Sequence, residues 1–206
     1  MSAPSPKFGV EFGREIVSMN TRREFLAASS AAMMAPAAMP DRISFAQWSI
    51  NRSYRAGVWK TLEVPRIIKD KLGIDALEFV NQFFENPTLG WLRKLKKSCA
   101  DAGVTPVLIM VDDEDPTAGT DAVERKAAAA AHHKYIDIAH YLGCHAIRCN
   151  MRGGPDDWKT DSSLVDRAAE SFRDILAYAK GSGVKVVIEN HGRSSSDPDV
   201  LVALMK

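Results

Sequence analysis

Four glycines set the frame of this chain. Gly73, Gly103, Gly143 and Gly183 each follow a stretch of helical character and come just before a short β-rich run. A left-handed residue closing a helix belongs at such a place, and glycine adopts that conformation without steric penalty. The strand candidates are Ile43–Trp48, Ala76–Val80, Val104–Val111, His145–Cys149 and Val184–Glu189. Helices are predicted near Leu62–Leu72, Gly90–Ala102, Asp121–Leu142 and Ser163–Ser182. Such a repeat predicts a parallel sheet of βα units. Two architectures satisfy it: part of a closed (β/α)8 TIM barrel, or an open doubly wound sheet of five strands. No Gly-x-Gly-x-x-Gly or phosphate loop follows any strand, which counts against the open sheet.

The chain divides into a leader, residues 1–40, and a βα region, residues 41–206. In the leader, Thr21-Arg22-Arg23-Glu24-Phe25-Leu26 precedes an alanine-rich apolar run and a small-x-small pattern at Ala35-Pro36-Ala37. A twin-arginine pair, a short apolar run and that pattern predict a signal for export of a folded protein to the periplasm or beyond. The run is too short for a spanning helix, which needs about 20 apolar residues. Met19-Asn20-Thr21 suits a signal's start, so Met19 is expected to be the initiator. At the other end, Asp197-Pro198 predicts a helix start with proline at its first position. The run to Lys206 carries no terminator. A full barrel needs about 250 residues, so the pattern reads as about five units of a larger barrel, cut inside the fifth helix. Such a piece bares a sheet edge and its lumen, and is expected to aggregate or to find a partner.

Charge excludes one class of function. Lysines and arginines number 27 against 26 acids, a net +1, so no basic face calls for nucleic acid. Three cysteines cannot build a disulfide framework. Cys144 and Cys149, five residues apart about one strand, are expected to be buried thiols on opposite faces.

In a parallel barrel, chemistry gathers at the C-terminal ends of the strands, and alternate residues face the lumen. The apolar pairs Leu77/Phe79, Ile147/Cys149 and Val186/Ile188 suit the helix side. Glu78, Arg148 and Glu189, with Asn150 and His191, then point inward. Three strands each aim a charge at the lumen, where a charge is costly unless paired or bound. Glu189 ends an apolar strand and is the leading candidate, able to ligate a hard divalent cation or to act as a base. Trp48, ending the first strand, could stack on a sugar face. Other groups favour plainer readings. His132 and His133 point about 100° apart on a helix and cannot share a metal. His133 and Asp137 read as a surface hydrogen bond. Asp112-Asp113-Glu114-Asp115 reads as a solvated loop.

The segments Ile43–Ser49, Gly73–Phe84, Leu142-Gly143-Cys144-His145-Ala146-Ile147-Arg148 and Val187-Ile188-Glu189-Asn190-His191-Gly192 resemble the sugar phosphate isomerase/epimerase family of xylose-isomerase-like TIM barrels. The likeness runs from about Arg42 to Lys206. It implies the barrel and an isomerase or epimerase acting on a sugar or related polyhydroxy carbonyl compound through an enediolate. It also implies a divalent ion, manganese or magnesium and sometimes zinc or cobalt. Of the four ligands implied, only the glutamate ending the fifth strand has a counterpart here, Glu189. It would serve as both ligand and proton carrier, with Arg148 and His191 orienting the substrate and Glu78 accepting a hydroxyl hydrogen bond. The expected partner is a small sugar or polyol, with no nucleic acid and no stable membrane insertion; a homo-oligomer is left open. A non-catalytic carbohydrate-binding barrel and a metal-dependent lyase or hydrolase are the alternatives on the same fold. A DNA-repair endonuclease also shares it, and export and neutral charge argue against that one.

Overall fold

The computed structural model describes residues 8–12, 15–19 and 43–206. The twin-arginine pair and the apolar run after it lie outside the described residues. The chain separates into two units, 1–42 and 43–206. In the first, Phe8–Phe12 and Glu15–Met19 pair as antiparallel strands, an element that was not expected.

The second unit is a parallel sheet of five strands in sequential order: β1 (Phe45–Ala46), β2 (Ala76–Val80), β3 (Thr105–Val111), β4 (Ala146–Cys149) and β5 (Lys185–Ile188). Helices α1 (Val64–Leu72), α2 (Leu89–Ala102), α3 (Ala122–Leu142) and α4 (Leu164–Ala179) connect successive strands, and α5 (Pro198–Leu204) follows β5. Gly73, Gly103 and Gly143 close α1, α2 and α3 in the left-handed conformation, as the repeat predicts. The fourth closure differs. Helix α4 ends at Ala179 on a Lys180 cap, and both Gly181 and Gly183 take positive φ in the turn to β5. Side-chain caps start three of the helices: Thr88 accepts from Trp91 N, Asp121 from Val123 N and Glu124 N, and Asp197 from Asp199 N just before Pro198.

The core lies between sheet and helices. Leu77, Phe79, Ile109 and Ile147 are fully buried against Ile68, Leu95, Ile136 and Ile175 from the four helices. Val186 and Ile188 pack on the same layer. The alternation expected for β2, β4 and β5 therefore holds, and their other residues face the opposite side, the lumen. Strand β3 has its own device. Leu77 pairs with Pro106 but Glu78 pairs with Leu108, leaving one extra residue in β3. Proline cannot donate to a ladder and is tolerated at such a bulge. The extra residue resets the alternation, so Ile109 and Val111 enter the core while Met110 and Asp112 face the lumen.

Two expectations need correction here. Trp48 does not end a strand: β1 is two residues long, and Gln47–Ile50 forms a 3-10 turn. Its ring packs edge-on against Phe83, centroids 5.4 Å apart, with Arg55 above it. Cys144 and Cys149 do not point to opposite faces, because Cys144 precedes β4 and both join the helix-side core with Cys99. Burial pushes all three thiols from the ordinary 9.0 up to about 12.

Candidate active site at the strand ends

At the C-terminal ends of the strands, polar side chains reach one strand over in sequence. Gln47, buried after β1, accepts from Val80 N of β2 at 2.8 Å and donates to Tyr54 Oη at 2.6 Å. Asn81, after β2, clamps the backbone of Asp112 with two 2.9 Å bonds, accepting from its N–H and donating to its carbonyl. The Asp112 carboxylate, after β3, holds β4: Oδ1 accepts from Arg148 Nη1 at 2.6 Å and from Asn150 Nδ2 at 2.8 Å. Arg148 then reaches β5, its Nε 2.8 Å from Glu189 Oε2. The Nε–H is not aligned with that oxygen, so the contact is an ion pair without a directed hydrogen bond. Arg148 Nη1 also donates to Asn150 Oδ1 at 3.0 Å.

Burial grades along this line. The Arg148 and Asp112 side chains are 6% and 5% exposed, and Glu189 is 43% exposed. A buried guanidinium thus stands behind an accessible carboxylate. One charge lies between two acids, and Asp112 Oδ2 is buried without a hydrogen-bond partner.

Around this line the loops are tied together. Thr117 Oγ1 donates to Asn150 O and accepts from Arg152 N, while Ala118 N donates to Arg152 O. The buried Arg125 anchors the β3–α3 loop, donating to the carbonyls of Gly119 and Thr120 and pairing with Glu170 at 2.6 Å. Gly153 is a forced glycine: at φ 94° its added Cβ would lie 2.1 Å from Pro116 Cβ.

The expected residues take different places. Arg148 and Glu189 meet. Glu78 faces the lumen and accepts from Ser44 Oγ, a protein hydroxyl. His191 lies past β5, its Nδ1 3.2 Å from Arg152 Nη2, beside a pocket of about 380 Å³ lined by Arg152, Gly153, Gly192 and Arg193. Trp48 belongs to the packing around Phe83. The Asp112–Asp115 run is not the solvated loop expected. Asp112 is buried, and Glu114 accepts from Tyr135 Oη at 3.0 Å and pairs with Lys134 at 2.8 Å. Desolvation raises the Asp115 carboxyl above its usual range, against the pull of Arg152. Only Asp113 is exposed, accepting from Gln82. The His133–Asp137 reading also changes: Tyr178 donates to Asp137 at 2.9 Å, and its ring stacks on His133 at 3.9 Å. Asp112 was the residue missed. Its signal was Pro106, whose place inside a strand implies a bulge and a change of facing.

Among the described residues, no three His, Cys, Asp or Glu side chains converge where an ion could sit. Glu189 engages one carboxylate oxygen with Arg148. The described residues therefore do not by themselves make a divalent-metal site.

A parallel βα sheet of sequential order, with its polar constellation at the strand C-termini, defines a protein built as part of a (β/α)8 barrel. The model of the xylose isomerase-like TIM barrel family matches residues 69–206, and the chain belongs to that family. Solved structures agree on the fold. A D-psicose 3-epimerase determined with D-fructose superposes with a TM-score of 0.59 at 18% identity, over 79% of this chain and 60% of its own. A D-tagatose 3-epimerase-like protein gives 0.56 at 20% identity, over 65% and 52%. A xylose isomerase-like barrel from Mycobacterium smegmatis in complex with magnesium gives 0.55 at 20%, over 73% and 52%. The chain spans about half the length of the first structures it matches. No curated protein sequence matches it significantly.

Proposed function

We propose that this chain supplies the β1–β5 share of a sugar isomerase or epimerase site, with Glu189 as the group that moves the proton. One observation carries the reading: an accessible carboxylate at the mouth of the lumen, backed at 2.8 Å by a buried arginine. Glu189 would take the proton from the carbon beside the sugar carbonyl, and the C–H electron pair would pass into the carbonyl to give an enediolate. Return of a proton to the same carbon from the other face gives an epimer; return to the neighbouring carbon gives an isomer. Arg148 pairs with Glu189 at the mouth of the lumen. Glu78 offers a hydrogen bond to a substrate hydroxyl. The epimerases among the structural relatives support a polyhydroxy carbonyl substrate. The magnesium complex supports a divalent ion in such barrels; here Glu189 would contribute a single ligand. Export by the twin-arginine route belongs to the same proposal and rests on Arg22-Arg23.

The test is solvent-deuterium uptake by D-psicose, D-tagatose and D-fructose incubated with the protein in heavy water, followed by proton NMR. Uptake is expected with at least one, and Glu189→Gln should slow it about 10²- to 10⁴-fold, the usual contribution of a general base. Sugar binding without any uptake would instead favour a non-catalytic binding barrel.

A further inference from the structure

The buried carboxylate of Asp112 has no direct part in the reaction just described, and bracing alone does not call for it. On the neighbouring strand Asn81 achieves a two-bond brace with a neutral amide. A carboxylate 5% exposed, with one oxygen lacking a partner, is a costly way to tie two strands. An amide can accept from Arg148, as Asn150 does at 3.0 Å, but it cannot offset the guanidinium's charge. The guanidinium is planar and rigid, so fixing one edge fixes the other. Asp112 Oδ1 takes Nη1 at 2.6 Å, and that grip turns the Nε edge toward Glu189 on β5.

We propose that Asp112 is a positioning residue for Glu189, acting through Arg148, and that Asn81 sets Asp112 by clamping its backbone. The inference rests on the reading of Glu189 as proton carrier and adds the groups that aim it. Asp112 shares the arginine's single charge. Without that share the guanidinium would draw the Glu189 carboxylate inward, away from the lumen where substrate must meet it. The groups facing Arg148 are Asp112 after β3, Asn150 beyond β4 and Glu189 after β5, so removing Asp112 leaves Asn150 as the sole anchor at the far edge.

The experiment uses the full 206-residue chain, labelled with ¹⁵N, and reads the exchange with water of the Arg148 Nε–H, assigned by its loss in Arg148→Lys. In the native protein this buried N–H should exchange slowly. Asp112→Asn should speed that exchange at least tenfold, because losing the charge-assisted bond at Nη1 frees the guanidinium to turn its buried Nε edge toward water. Asp113→Asn, an exposed acid in the same loop, should leave it unchanged. In the sugar exchange assay Asp112→Asn should lower kcat about tenfold and leave KM within about twofold, because Asp112 does not touch substrate. Should Asp112→Asn fail to fold, Asn81→Ala frees the Asp112 backbone without removing a charge, and is expected to speed the same exchange. A lower melting temperature with an unchanged Nε–H would overturn the proposal and leave Asp112 a brace. Faster Nε–H exchange in a protein that exchanges no sugar proton would sustain the placement of Arg148 and sink the isomerase reading instead.

Discussion

Arg148 sits with one positive charge between two carboxylates, one sealed and one open. Removing a partner from a buried pair costs more than the pair contributes, because the remaining charge stays buried alone. Arg148→Met should therefore destabilise the fold by about 3–5 kcal/mol, measured by urea denaturation. Breaking the exposed Arg66–Asp70 pair on α1 should cost less than about 1 kcal/mol. The cysteines make a second prediction at this scale. Their folded-state pKa values lie near 12, above the ordinary 9.0, because burial disfavours the thiolate. A group raised in this way contributes its full stability below its unfolded pKa and loses it as pH rises toward the folded value. Stability should therefore hold up to about pH 9 and fall between pH 9 and 12, a fall lessened by Cys149→Ala relative to its own value at pH 7. The same burial predicts that native protein at pH 8 resists iodoacetamide and reacts with it once unfolded.

At the scale of elements, the helix–glycine–strand repeat was legible because each of its parts is local: a periodic helix, a left-handed closure and an apolar strand. Inward and outward facing on β2, β4 and β5 was legible for the same reason, and it gave Arg148 and Glu189 their common side. What could not be read was any feature set by pairing. The bulge opposite Leu77 exists only in the register with β2, and it alone puts Asp112 in the lumen rather than the helix layer. Trp48 was misplaced because β1 turns into a 3-10 helix after two residues, and only packing on Phe83 decides where the ring goes. Gly153 shows a further constraint of this kind. Its left-handed φ lets the β4 loop pass over Pro116 at a distance that leaves no room for a Cβ. Gly153→Ala should cost about 1–3 kcal/mol through strain and overpacking, and should loosen the Thr117–Asn150 tie. Thermal unfolding and hydrogen exchange at Arg152 N would register both.

At the scale of the molecule, the unit 43–206 presents β5 as the last strand of its sheet. Val187 and Leu176 are 40% and 51% exposed beside an apolar groove of about 610 Å³ between α4 and β5. Among the described residues no strand pairs with the outer edge of β5, and such an edge next to apolar surface is a template for association. Sedimentation velocity at micromolar concentration should show self-association that Val187→Lys weakens; a monodisperse monomer would count against it. No helix among the described residues is long and apolar enough to cross a membrane.

The central claim is that one carboxylate of the lumen, Glu189, handles the proton while the others position or bind. The measurement that tests it most directly is the rate of solvent-deuterium uptake at the carbon beside the carbonyl of a ketohexose, compared among Glu189→Gln, Asp112→Asn and Glu78→Gln. Loss of about 10²-fold or more is predicted for Glu189→Gln, a smaller fall in kcat alone for Asp112→Asn, and a rise in KM for Glu78→Gln. Native-like uptake by Glu189→Gln would contradict the account.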